Sequence, residues 1–72
     1  MMDYGMSQTY DMILLDLLEA GFTLTENNKC NIRRIVQRHY STSLGIFARD
    51  AMNGAKNTYE FIARLNNRLS EV

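Results

Sequence analysis

Apolar residues recur at helical spacing in four stretches of the chain. In the first stretch, five large apolar residues share one helix face: Tyr10, Ile13, Leu14, Leu17 and Leu18. Gly21 follows at the position where a left-handed residue commonly ends a helix. Ser7 is the expected N-cap. The pattern therefore predicts a first helix over residues 8-20, preceded by a flexible N-terminal tail over residues 1-6.

The second stretch, residues 26-40, has the strongest pattern. One side of the predicted helix is formed by Ile32, Ile35, Val36, His39 and Tyr40. The opposite side carries Lys29, Arg33, Arg34, Gln37 and Arg38. Thr23 and Thr25 can each cap this helix, and Thr23 with Glu26 has the spacing of a capping box.

Two shorter helices complete the pattern. Ser41-Thr42-Ser43 interrupts the second helix, and Ser43 is a candidate cap for a third over residues 44-52. Asn53-Gly54 ends it, and a fourth helix is predicted over residues 57-70. The expected fold is all-α, a small compact bundle of about four short helices, with residues 7-72 as a single helical domain.

The length of 72 residues limits how much core the chain can build. A domain of this size buries only about 60% of its unfolded surface, so homodimerisation is a candidate route to further burial. The single cysteine excludes an intrachain disulfide and fits a reducing compartment. No apolar run approaches the ~20 residues of a membrane-spanning helix, and no basic signal-peptide region is visible. We expect a cytoplasmic protein without membrane contact.

The formal net charge is zero, but the charges are unevenly distributed. Residues 1-26 hold five acidic residues and no Lys or Arg, a net charge of −5. Residues 27-72 hold eight cations against three acidic residues, a net charge of +5. The first helix could neutralise the second within one molecule, the two could pair between molecules, or each could meet a different partner.

Catalytic and metal chemistry have little support in this chain. Cys30 and His39 lie nine residues apart, on opposite sides of one predicted helix, and cannot hold one metal ion. No phosphate-binding glycine loop or positioned catalytic triad is present. We therefore expect a protein that is not an enzyme and needs no cofactor or metal.

The leading hypothesis is a small binding or regulatory protein that covers a functional surface of a partner protein. In size and lack of site chemistry, the chain resembles the small inhibitors that phages and mobile elements encode, for example against host nucleic-acid-handling complexes. The expected contact residues are the charged groups of the first two helices: Lys29, Arg33, Arg34, Arg38, Asp11, Asp16 and Glu19.

The alternative hypothesis is a DNA-binding regulator of the helix-turn-helix type. Gly21 to Thr25 would form the turn, and residues 26-40 would form the recognition helix, whose first turns contact base edges. The candidate DNA-binding residues are Asn27, Asn28, Lys29, Asn31 and Arg33. The acidic residues of the first helix and a sequence pI near 6.5 argue against this hypothesis.

Overall fold

The computed structural model describes residues 3–70, and this part of the chain forms four α-helices. They are α1 (Tyr4–Glu19), α2 (Glu26–His39), α3 (Leu44–Met52) and α4 (Thr58–Ser70). The bundle measures 29 × 26 × 18 Å. The predicted all-α bundle of four short helices is confirmed, and three of its helices match their predicted bounds to within one residue.

The start of α1 differs from the prediction. Asp3 is the N-cap, and its Oδ1 accepts a hydrogen bond of 2.8 Å from the backbone N–H of Met6. Ser7 therefore lies inside the helix instead of capping it, and residues 4–6 are helical instead of belonging to a tail. Burial favours the longer helix, because Met6 packs against the core. Residues 1-2 of the predicted tail lie outside the described residues.

Thr25, and not Thr23, caps α2. The Thr25 hydroxyl accepts a 3.0 Å hydrogen bond from the Asn28 N–H, and the Asn28 side-chain oxygen accepts one of 3.1 Å from the Thr25 N–H. This reciprocal pair is a capping box in which Asn28 takes the place usually held by Glu or Gln. The Thr23–Glu26 box is wrong, because the helix begins at Glu26 and its N-cap is the residue immediately before.

The ends of α3 and α4 differ in how side chains bond to their backbone groups. Ser43 occupies the N-cap position of α3, as predicted, but its side chain makes no capping hydrogen bond. The Asn57 side chain accepts from the Glu60 N–H at 2.8 Å and so caps α4. Arg64 of α4 closes the end of α3, since its Nε donates to the carbonyl oxygen of Ala51 at 3.1 Å.

All four helices contribute to one hydrophobic core. Its buried residues are Tyr10, Ile13, Leu17, Ile32, Ile35, Val36, Leu44, Ala48, Ala51, Phe61 and Leu65. α1 packs against α2 and α3, and α4 packs against α2 and α3. Leu18, predicted to share the apolar face of α1, is instead exposed, because the buried side of this helix is centred on Ile13 and Leu17. Between residues 3 and 70, no helix is both long and apolar enough to cross a membrane.

Candidate partner-binding surfaces

Lys29 and Arg33 of α2 are engaged within the chain. The Lys29 ammonium lies 3.6 Å from a carboxylate oxygen of Glu26. The Arg33 guanidinium lies over the ring of Tyr10, 5.4 Å from its centroid. A cation over an aromatic face is attracted by the ring's electrons, so this contact joins α2 to α1. Two of the four predicted basic contact residues therefore already have intramolecular partners.

Arg34 and Arg38 are in a different situation. Both are exposed, and no acidic group among residues 3–70 forms an ion pair with either. With Asn27 and Asn31 they fall at steps of four, three and four residues, which aligns the four side chains along one side of α2. We call these four residues the outer row of α2. Three members of the row, Asn31, Arg34 and Arg38, line a groove between α2 and α4 to which α4 contributes Asn66.

The acidic residues of α1 also divide into two groups. Asp16 is half-buried and pairs with Arg49 of α3, with 3.5 Å between the carboxylate oxygen and Nε. Asp11 and Glu19 are exposed and form no ion pair with any residue of the described part, 3–70. Of the three predicted acidic contact residues, Asp16 is thus drawn into the α1–α3 contact.

Two leucines lie between the exposed carboxylates of α1. Leu15 is 59% exposed and Leu18 is 55% exposed. Asp11 precedes Leu15 by one helical turn and Glu19 follows it by one turn. We call these four residues the outer surface of α1. This exposed apolar pair was not predicted, although the four-residue steps from Asp11 to Leu15 and on to Glu19 place Leu15 on a charged side of the helix.

Direct ion pairs do not neutralise α2 with α1. The two helices pack together, but in residues 3–70 no carboxylate of α1 pairs with a cation of α2. The two arginines of α4 have partners in and next to α3: Arg68 donates to Asp50 at 2.8 Å, and Arg64 donates to carbonyl groups at the end of α3. The structure therefore leaves opposite charges exposed on two different helices.

The five candidate DNA-binding residues do not share one face of α2. Asn28 is half-buried in the capping box, Lys29 pairs with Glu26, and Arg33 lies on Tyr10. Only Asn27 and Asn31 belong to the outer row. The reason is geometric, because residues spread over 27–33 point around nearly two full turns of the helix. The connection between α1 and α2 spans six residues, which is longer than the three- or four-residue turn of a helix-turn-helix.

No protein-family model, curated protein or solved structure matches the chain. Function is therefore inferred from the outer row of α2 and the outer surface of α1.

Proposed function

We propose that this protein is a small non-enzymatic binding protein that acts by covering a functional surface of a partner protein. The observation that supports this is the division of the cations on α2. Lys29 and Arg33 bind groups of their own chain, while Arg34 and Arg38 have no ion-pair partner among residues 3–70. The outer row therefore contains the two exposed arginines of α2 that lack a partner in the described part of the chain.

The chemistry of the outer row suits a protein interface. Arginine binds carboxylates through two parallel hydrogen bonds and is enriched in protein interfaces. Asn27 and Asn31 add side-chain amides that both donate and accept hydrogen bonds. Arg34 and Arg38 are like charges one turn apart, which mildly destabilises an isolated helix. A carboxylate placed between them by a partner would remove that repulsion.

The partner class we favour is a nucleic-acid-handling complex of a host cell. The protein would then act as an inhibitor of the kind that phages and mobile elements encode. Asp11 and Glu19 support this choice, because two exposed carboxylates without ion pairs among residues 3–70 can take the place of phosphates on a basic surface. The exposed thiol of Cys30 fits a reducing compartment, and we propose that the protein works in the cytoplasm.

The test compares two double variants of α2 that remove the same charge. Arg34→Gln/Arg38→Gln neutralises the outer row, and Lys29→Gln/Arg33→Gln neutralises a matched pair with the same four-residue spacing. Each immobilised protein is used to capture binding proteins from extracts of the cells in which the protein acts. We expect a captured protein to be retained by the wild type and by the Lys29/Arg33 variant and to be lost with the Arg34/Arg38 variant.

Circular dichroism of the three proteins provides the folding control, and all three spectra should show the same helix content. If both double variants capture the same proteins as the wild type, the outer row is not the interface and the proposal fails.

DNA binding is the second candidate, and one observation favours it. Asn and Arg are the side chains that most often read adenine and guanine, and the outer row holds two of each on one side of a helix. Fluorescence anisotropy of labelled duplex DNA, at low and at physiological salt, separates the two candidates. Binding that weakens linearly in log–log against salt, and weakens further in Arg34→Gln/Arg38→Gln, would favour DNA. Absence of binding at low salt would exclude it.

A further inference from the structure

The exposed side of α1 carries apolar side chains that the fold leaves uncovered. Leu17 is fully buried, whereas its neighbour Leu18 is 55% exposed and Leu15 is 59% exposed. Met12 lies one turn before Leu15 and is also exposed. Met12 also lines a groove between α1 and α3, together with Tyr40 and Ile46. Exposed apolar side chains grouped in this way are typical of interaction sites, whereas single ones are common everywhere.

Charge restricts what can cover this surface. Asp11 and Glu19 lie one turn on either side of Leu15, and neither forms an ion pair within residues 3–70. An occupant that buried the leucines would bring its own side chains close to both carboxylates. Favourable contact then requires cations at the edges of an apolar surface, because unpaired carboxylates lose hydration at an interface without compensation.

Two contacts with a second copy of the chain do not meet this requirement. In a two-fold contact between antiparallel α1 helices centred on Leu15, Asp11 of each copy would face Glu19 of the other. Like charges placed together in this way oppose association. The outer row of α2 in a second copy would supply cations, but its remaining members, Asn27 and Asn31, offer no large apolar side chain for the leucines.

We propose that the outer surface of α1 docks an amphipathic helix of a partner protein whose apolar stripe is bordered by Lys or Arg. Leu15 and Leu18 contact the apolar stripe, and Asp11 and Glu19 pair with the cations on its borders. Packing of an amphipathic helix by its apolar face is a common form of protein recognition. This inference rests on the proposed binding function, but it concerns a different helix from the outer row and can be tested separately.

The test uses two synthetic helical peptides with the same leucine stripe. One has lysines along both borders of the stripe, and the other has glutamates at the same positions. Affinity for each fluorescently labelled peptide is measured by anisotropy at physiological salt. We expect the lysine peptide to bind at least about tenfold more tightly than the glutamate peptide, a difference of about 1.4 kcal/mol.

Three variants locate the binding. Leu15→Gln/Leu18→Gln should weaken binding of the lysine peptide by at least about tenfold, because the variant loses apolar area at the contact. Tyr59→Gln should bind the peptide like the wild type, since Tyr59 is 81% exposed on α4 and serves as a control for loss of a surface apolar group. Arg34→Gln/Arg38→Gln should also bind it unchanged, so that failure of the outer-row proposal can be told apart from failure of this one.

Several results would overturn the inference. They are no measurable binding of the lysine peptide, equal affinity for both peptides, or binding that survives Leu15→Gln/Leu18→Gln. Sedimentation of the wild type provides an independent measurement. A concentration-dependent dimer that the two leucine substitutions abolish would mean that a second copy, and not a basic helix, covers this surface.

Discussion

The outer surface of α1 and the outer row of α2 are two exposed helix faces of opposite charge and different composition. On α1, two half-exposed leucines lie between Asp11 and Glu19. On α2, arginines and asparagines form a row without a large apolar residue. Contacts with the row would therefore depend mainly on charge and weaken with salt, whereas contacts with α1 would depend mainly on buried apolar area.

Packing explains why these particular charges remain without intramolecular partners. Two cations contact side chains of α1: Arg33 lies on Tyr10, and Arg49 pairs with Asp16. Arg34 and Arg38 project from the side of α2 that includes neither of these contacts. Some of the unevenly distributed charges are thus paired inside the molecule. The charges without a partner among residues 3–70 include carboxylates on α1 and arginines on α2.

The largest expected effect is a difference in stability between a substitution on the buried face of α1 and one on its outer surface. Leu17→Ala should destabilise the protein by about 2–5 kcal/mol, because Leu17 is fully buried and its removal leaves a cavity. Leu18→Ala should change stability by less than about 0.5 kcal/mol, because its side chain is already largely in water. Urea unfolding followed by circular dichroism measures both. If both variants lost a similar amount of stability, Leu18 would belong to the core. The outer surface of α1 would then not be an exposed apolar surface.

A smaller effect is expected at the cap that holds the start of α2. Thr25→Ala should destabilise the protein by about 1 kcal/mol, because it removes the hydroxyl that accepts from the Asn28 N–H. Ser43→Ala is the matched control and should cost less than about 0.5 kcal/mol, since the Ser43 side chain makes no capping hydrogen bond. Thermal unfolding compares the two. Equal costs would show that the capping box does not anchor α2.

A third prediction separates the two groups of cations on α2. Arg33→Ala should destabilise the protein by about 0.5–1 kcal/mol through loss of the contact with Tyr10. Arg34→Ala should be neutral within about 0.5 kcal/mol, because Arg34 has no ion pair to lose among residues 3–70. Urea unfolding under identical buffer conditions measures the difference. A larger cost at Arg34 would mean that the outer row is structural and is not reserved for a partner.

The smallest effect concerns charge accessibility. On a cation-exchange resin at a pH below the pI of both variants, Arg34→Gln/Arg38→Gln should elute at lower salt than Lys29→Gln/Arg33→Gln, although both variants have the same net charge. The expected reason is that Arg34 and Arg38 have no ion pair within residues 3–70, whereas Glu26 and the Tyr10 ring partly offset the charges of Lys29 and Arg33. Identical elution would indicate that all four cations are equally accessible.

Local sequence patterns predicted most of the helical architecture. The bounds of α2, α3 and α4 agree with the prediction to within one residue, because caps and breaks such as Thr25 and Asn53-Gly54 act locally. The predicted start of α1 was wrong, because Asp3 and Ser7 are both suitable N-cap residues. Local sequence cannot choose between them, since the longer helix is favoured by the packing of Met6 against a distant core.

The candidate sites were less predictable than the helices. The sequence grouped the four cations of α2 into one basic face and the three acids of α1 into one acidic face. Tertiary contacts divided both groups, because Arg33 meets Tyr10 and Asp16 meets Arg49. Their use in partner binding stays a prediction, as does that of the DNA-binding set.

The sequence by itself determined the helical class and the separation of acidic from basic residues, because helix periodicity and charge order are properties of neighbouring positions. The tertiary structure decided which charges and leucines remain available to other molecules. Leu17 and Leu18 are adjacent in the sequence, yet one is buried and the other is exposed. Availability depends on which side of each helix meets another helix, and residues far apart in the chain determine that.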